Sequence, residues 1–304
     1  MLSKFSLWRT LIIALVITSL SGFISNTAVA CEIRHPGKQE FADARHEYPR
    51  QLLQQILKVT EAEYGKCKLV DVGGLSQRRQ IMWLQAQDGQ LDVAWLPASN
   101  QTNEVLNAIP FPIRKGLLGW RVLLINKNNL DRFDDVKTLN DLNVFTAGYG
   151  SDWGDLPVMQ HNFARVITSS NYDSLFEMLN YKRFDFLSRS VYEAFDETIL
   201  RRKSHPDIVI EPNLALRYPQ VDFFYVGKNN KELAARIRSG LDKLHRSGRF
   251  NTLFYGFYAD YIRKIKMADR LIIEIENPYL PENVPHNDPE LWFQLNEVDK
   301  YAVN

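Results

Sequence analysis

Ten consecutive residues, Thr146-Ala147-Gly148-Tyr149-Gly150-Ser151-Asp152-Trp153-Gly154-Asp155, lie between an apolar run and a predicted helix. They combine three glycines with three hydroxyls, two acids and a tryptophan, which invites three chemistries. A dinucleotide fingerprint fails, because the spacing G-x-G-x-x-x-G is one residue too long, and no Lys-Ser/Thr pair follows to complete a phosphate-binding P-loop. A nucleophile elbow around Ser151 fails too, since Tyr149 and Trp153 stand where it needs glycines. What remains is a strand-to-helix turn whose backbone N–H groups and polar side chains can receive an anionic or polar ligand. Metal chemistry is not indicated: the six histidines are scattered singly, with no H-x-H or H-x-x-x-H pair. No cofactor is expected.

The composition sets the compartment and the kind of partner. Lys4 and Arg9 form a basic start, Thr10 to Leu20 is largely apolar, and Ala28-Val29-Ala30 is a small-residue cleavage site, so residues 1–30 read as a signal peptide. The apolar run falls short of the about 20 residues that a permanent span needs. The expected location is the periplasm. The chain of 304 residues carries 37 basic and 36 acidic side chains, and losing Lys4 and Arg9 keeps it near neutrality. Neither nucleic acid nor an anionic membrane surface is an expected partner. Cys31 and Cys67 are the only cysteines, and in an exported chain they most simply form one disulfide. The alternative is acylation of Cys31, directly after Ala30, as a lipoprotein anchor.

The elements that must position these residues alternate between strand-like and helical patterns, which indicates an α/β architecture with mainly parallel strands. Pro49 opens a helix with a stripe at Leu52, Leu53, Ile56 and Leu57. Lys68–Val72 reads as a strand, Ser76 as the cap of a helix carrying Ile81 and Met82, and Leu91–Trp95 as a buried strand. Leu117–Ile125 is a longer strand. Further strands start at Val144 and span Phe184–Leu187, Ile208–Ile210 and Phe223–Val226, with a helix around Leu175–Leu179. Asn230 caps a helix with Leu233, Ile237, Leu241 and Leu244 on one face, and Gly248 ends it. The face formed by Phe250, Leu253, Phe254, Phe257, Tyr258, Tyr261 and Ile262 reads as core. Prolines at 278, 281, 285 and 289 make the tail extended, laid over a lobe and anchored by Leu291-Trp292-Phe293.

In this order the features resemble those of the bacterial periplasmic solute-binding proteins of the amino-acid-binding kind (family 3-like, type II, the two-lobed Venus flytrap). The resemblance spans roughly residues 32–265. It rests on Gly89-Gln90-Leu91-Asp92-Val93-Ala94-Trp95, on Ser99-Asn100-Gln101-Thr102, and on Tyr225-Val226-Gly227-Lys228-Asn229-Asn230-Lys231-Glu232-Leu233. It implies crossover strands near Val122–Asn126 and Phe223–Gly227. One lobe would then comprise 31–125 and 228–304, with the Pro-rich tail, and the other 126–227. The ligand is expected in the cleft between them, where strand ends and helix starts meet. Ser99, Asn100, Tyr149, Ser151, Asp152 and Trp153 are the ligand-binding candidates that the resemblance implies.

Two departures shape the expected ligand. Amino-acid binders carry an arginine shortly after the Ser/Thr-rich loop, and no basic residue occurs between Ala98 and Ala108. They also set an acid after the later second-lobe strand, where this chain reads Ser188-Arg189-Ser190. Arg189 is the leading candidate for gripping a carboxylate or phosphate in a fork, against the alternative of a surface arginine paired with Glu193. Arg114 and Arg121 are candidate replacements for the missing arginine, while Arg34, Arg45 and Tyr48 lie after the first strand. Trp95 can stack on a ligand together with Trp153, or only pack its lobe. The expected function is capture of a small polar or anionic metabolite by a monomer, for delivery to a membrane permease. Alternatives are a subunit that feeds a signalling receptor, and an enzyme using Asp152, His161 or Glu193, although no titratable pair stands at diagnostic spacing.

Overall fold

The computed structural model describes residues 31–37 and 44–301, so the signal-peptide assignment lies outside the described residues. Among them, no helix is long and apolar enough to cross a membrane. The first elements are β1 (Cys31–Gly37), α1 (Glu47–Val59), β2 (Cys67–Gly74), α2 (Gln77–Ala86), β3 (Val93–Pro97), α3 (Asn100–Val105) and β4 (Asn107–Ile109). Leu52, Leu53, Ile56 and Leu57, the stripe expected on α1, are all buried. Ser76 caps α2 as its sequence position suggests, accepting the Arg79 backbone N–H at 3.3 Å. Cys31 and Cys67 are disulfide-bonded, as expected of an exported chain.

A second series follows the passage 110–119. It comprises β5 (Trp120–Asn126), β6 (Ala147–Gly150), α4 (Leu156–Asn162), β7 (Val166–Ser169), α5 (Tyr172–Asn180), β8 (Phe186–Ser190), α6 (Val191–Arg201), β9 (Ile208–Ile210) and β10 (Leu214–Arg217). The chain then returns through β11 (Asp222–Val226), α7 (Lys231–Arg246), α8 (Arg249–Lys264) and β12 (Leu271–Glu274). Every residue of β5 and of β11 is buried. Strands covered on both faces read as continuous apolar runs, which is why these two were visible in the sequence.

Two main sheets result. In the smaller, β11 lies between β3 and β4 and runs antiparallel to both, with Phe224 opposite Trp95 and Ile109. The larger has seven strands in the order β12-β10-β5-β8-β6-β7, with β9 also on β5. The expected mainly parallel pairing is corrected here. In the larger sheet β6 is parallel to β7 and β8, and β10 to β12, while β5 enters antiparallel to β8, β9 and β10.

Sheet membership also moves the points where the chain changes sides. β5 belongs wholly to the larger sheet and β11 wholly to the smaller, so the chain passes between them at 110–119 and 218–221. β12 joins the larger sheet, although the sequence suggested that all of 228–304 accompanies the first lobe. A four-residue edge strand carries no sign of which sheet it will extend.

Helix α7 packs on α1 at Gly240, where an added Cβ would stand 2.6 Å from the Ile56 side chain. Only glycine permits that approach. Gly248, at φ +72°, ends α7 as expected. Phe250, Phe254, Tyr258 and Ile262 of α8 are fully buried, in keeping with a core face. Leu291 and Phe293 are buried as well, so the tail is anchored where the sequence placed its anchor.

Candidate ligand cavity between the two sheets

A cavity of about 200 Å³ opens where the two sheets face each other. On the side of the smaller sheet its wall is His46, Ser76, Gln77, Gln80, Trp95 and Pro97; Arg114, Leu118 and Asp222 come from the chain passages and their ends. The larger sheet contributes Arg121, Asp152, Trp153, Asp155, Ser170, Tyr172, Arg189, Tyr192 and Glu193. Helices α2, α5 and α6 all begin at this wall, through Ser76–Gln77, Tyr172 and Tyr192–Glu193. Their starts bring backbone N–H groups and the positive ends of helix dipoles to the cavity.

The guanidinium groups are buried and held in place by carboxylates. Arg121 pairs with Asp155, donates through Nε to the Tyr218 hydroxyl at 3.0 Å, and lies 3.6 Å from Glu193. Tyr218 in turn donates to Asp155 at 2.8 Å. Arg189 donates through Nε to both Glu197 oxygens at 3.0 and 2.9 Å, and its Nη2 lies 3.3 Å from Glu193. The Arg189 guanidinium sits 4.2 Å from the Trp153 ring centroid, a stacked cation–π contact. Arg114 pairs with Asp222 and donates through Nε to the Tyr258 hydroxyl at 2.9 Å. Removing a close partner would leave a buried charge poorly compensated, so these pairs fix one geometry for the wall.

Glu193 is the pivot of this network. It closes the capping box of α6, accepting from the Ser190 hydroxyl at 2.9 Å, while facing Arg121 and Arg189. Burial on its own raises the carboxyl pKa. The guanidinium groups of Arg189, Arg121 and Arg45 outweigh that effect and hold it below the usual carboxylate range. Burial pushes the hydroxyls of Tyr172, Tyr192 and Tyr218 upward, so they stay protonated, and Tyr172 donates to Glu197 and Tyr218 to Asp155. Among the described residues no cluster of three or more His, Cys, Asp or Glu could hold a metal ion.

The residues singled out in the sequence divide into two groups. Arg114, Arg121, Asp152, Trp153, Arg189, Trp95, Arg45 and Glu193 all line the cavity. Arg189 is not a surface residue, being 2% exposed, yet the forked edge proposed for a ligand is engaged by Glu197. Trp95 both packs against Phe224 and reaches the cavity, with Nε1 donating to His46 at 3.0 Å. Tyr149 is fully buried, its hydroxyl 3.3 Å from Arg121 Nη2, and it stands behind the wall. Ser151 is exposed and donates to Asp152 at 3.0 Å. Ser99 caps α3 and lines a separate depression shared with Thr102 and Gly154, while Asn100 is exposed on the first turn of that helix. Arg34 pairs with Glu32 and Asp92, Tyr48 packs in the core, and His161 lies 3.2 Å from Glu276, none of them on the cavity.

No protein-family model matches the sequence, and neither does any curated protein sequence. Solved structures do match. An ancestral arginine-binding protein bound to glutamine superposes with TM-score 0.56 at 16% identity, over 75% of this chain and 97% of that one. The fold is that of the two-lobed periplasmic amino-acid-binding proteins. An amino-acid ABC transporter substrate-binding protein from Streptococcus pneumoniae, bound to L-arginine, gives TM-score 0.53 at 15% identity, over 77% of this chain and 95% of that one. A histidine kinase sensor domain with similarity to periplasmic binding proteins gives 0.51 at 14%, over 74% of this chain and 94% of that one.

Asp155, Asp222 and Glu197 were missed by the sequence reading. Asp222 had a signal, as a lone acid heading the apolar run Phe223-Phe224-Tyr225-Val226. A single charge in a strand buried on both faces needs a partner, and Arg121 and Arg189 stand in β5 and β8 in the same way. The part played by α2 in the wall had no signal beyond the cap at Ser76.

Proposed function

We propose that this chain is an exported solute-binding protein that captures one small polar solute in the interlobe cavity and presents it to a membrane transporter. The observation that carries this reading is the cavity itself. It takes a tryptophan, a helix start and hydrogen-bonding amides from one sheet's side, and charged residues with two helix starts from the other, as closure on a ligand requires. The lobes follow the sheets: 31–119 with 222–264 on one side, and 120–217 with 271–274 on the other.

The solute should carry a carboxylate or similar anion. Four arginines and four carboxylates line the cavity, so their formal charges cancel, and the starts of α2, α5 and α6 tip the potential positive. Because each of Arg114, Arg121 and Arg189 already has a carboxylate partner, a multiply charged anion would have to displace an internal one. A singly anionic or zwitterionic molecule with hydrogen-bonding groups fits better. Trp95 and Trp153 provide the apolar faces.

The test is a thermal-shift screen against amino acids, organic acids, phosphates and polyamines. A ligand that binds only the folded state raises the melting temperature by mass action. Hits confined to singly anionic and zwitterionic compounds support the reading, and hits confined to polyamines overturn it. The sensor-domain fold supports a second reading, in which the same closure signals to a membrane receptor. Binding and transport assays together separate the two.

A further inference from the structure

The segment after β12 touches both lobes and the two passages at 110–119 and 218–221. At its start Ile275 is buried among larger-sheet residues and donates its N–H to Arg217 at 2.9 Å. Asn277 then donates through Nδ2 to the Pro219 carbonyl at 2.7 Å and the Gln220 side chain at 3.0 Å, both in the second passage. Further on, Val284 is buried with Leu75, Leu84 and Leu96 under the smaller sheet, and Asn283 accepts from Asn103 at 3.1 Å.

The segment then closes over the first passage. Lys115 and Gly116 both adopt positive φ there, 51° and 70°, and the Trp292 ring covers the turn so closely that a Cβ on Gly116 would meet it at 2.7 Å. Phe293 donates its N–H to the Lys115 carbonyl at 2.6 Å and sets its ring edge-on to Trp120 at 5.2 Å. Lys115 Nζ bonds Asn251 of α8 at 2.8 Å and the Glu290 carbonyl of the tail. Arg114 in the first passage and Asp222, directly after the second, form the buried ion pair of the cavity wall.

From this we infer that residues 275–293 are a clamp across the hinge, with Asn277, Trp292 and Phe293 acting as positioning residues that fix both interlobe passages and, through them, the Arg114–Asp222 pair. A hinge opens by changing backbone angles at a few residues, and a strained left-handed turn held under a tryptophan resists that change. Lobe opening is therefore limited by the tail, and the range of opening is set by residues that line no part of the ligand cavity.

The test needs no ligand, so its outcome is independent of the solute-binding reading. Amide hydrogen exchange is followed in the full chain and in Trp292→Ala/Phe293→Ala. Spin labels at Met82→Cys and Tyr181→Cys, exposed positions on either side of the cleft, report the interlobe distance. Loss of the clamp should speed exchange at 114–120 and 218–222 by at least tenfold over the change in β3 and β8, and widen the distance distribution. Trp292→Phe, which keeps a ring over Gly116, should restore most of the protection. Equal acceleration everywhere, or an unchanged distance distribution, would overturn the inference. Should the double variant not fold, Asn277→Ala removes the two hydrogen bonds donated to 219–220, together with the one accepted from Tyr279. Faster exchange at 218–221 then supports the clamp, and unchanged exchange overturns it.

Discussion

Lys115→Met is expected to remove a rise in stability between pH 8 and 9.5. The Lys115 side chain is 2% exposed as a residue and lies among the rings of Phe250, Phe254 and Tyr255, with Nζ 5.5, 6.0 and 5.9 Å from their centroids. Burial pushes its pKa down to about 8, against the upward pull of Glu297, Glu290 and Asp288. In the unfolded chain the pKa returns to about 10.4. Between these values the unfolded state binds more protons than the folded state, so unfolding becomes harder as pH rises. The full slope is about 1.4 kcal/mol per pH unit; with the gradual onset near pH 8 and partial solvent screening, the gain by pH 9.5 is about 1–2 kcal/mol. Above that range unfolded tyrosines begin to ionise and buried ones do not, which reverses the trend. The carboxylates facing this site, Asp288, Glu290 and Glu297, are present in both proteins, so the comparison isolates Lys115. Urea unfolding of both proteins at pH 7.5, 8.5 and 9.5 measures the difference. Parallel curves across that range would refute the account of Lys115.

Glu197→Ala should cost about 3–5 kcal/mol in urea unfolding, since Arg189 then keeps only the looser contact with Glu193. The apolar pair Arg189→Met/Glu197→Leu should recover much of that loss, and a double variant no better than Glu197→Ala would contradict the ion-pair reasoning. Trp153→Ala, which removes the ring stacked on Arg189 and part of the cavity wall, should weaken any ligand found by screening at least tenfold by calorimetry. Reducing and alkylating Cys31 and Cys67 should lower stability by about 3–4 kcal/mol, read as a fall in the urea midpoint. Glu193, held below the carboxylate range, contributes stability that is complete above about pH 4.3 and lost on further acidification. Glu193→Gln should flatten that acid limb.

What could be read from the sequence, and what could not, follows from how local each feature is. The caps at Ser76 and Asn230, the stripe of α1 and the aromatic face of α8 rest on contacts a few residues apart, so spacing alone reveals them. The tail anchor was legible because Leu291-Trp292-Phe293 is an apolar island among prolines. Sheet order was not, since the antiparallel entry of β5 and the docking of β12 depend on partners far along the chain. At the site, Asp152 and Trp153 were found because their loop is distinctive. Ser151 and Asn100 were misplaced because loop membership does not tell which way a side chain faces. Arg189 lines the cavity, but its carboxylate partner is eight residues away on the next helix, and only the fold brings Glu197 under it.

The central claim is that the interlobe cavity holds a small polar solute with a single anionic group, and the thermal-shift screen tests it most directly. Saturation at about a hundred times the dissociation constant adds about 2.7 kcal/mol, a rise of several degrees for a protein of this size. The account predicts such a rise with at least one carboxylate-bearing or zwitterionic metabolite, abolished in Trp153→Ala. Hits that leave the melting temperature equally raised in Trp153→Ala, or a folded protein that responds to no compound of any charge class, would contradict it.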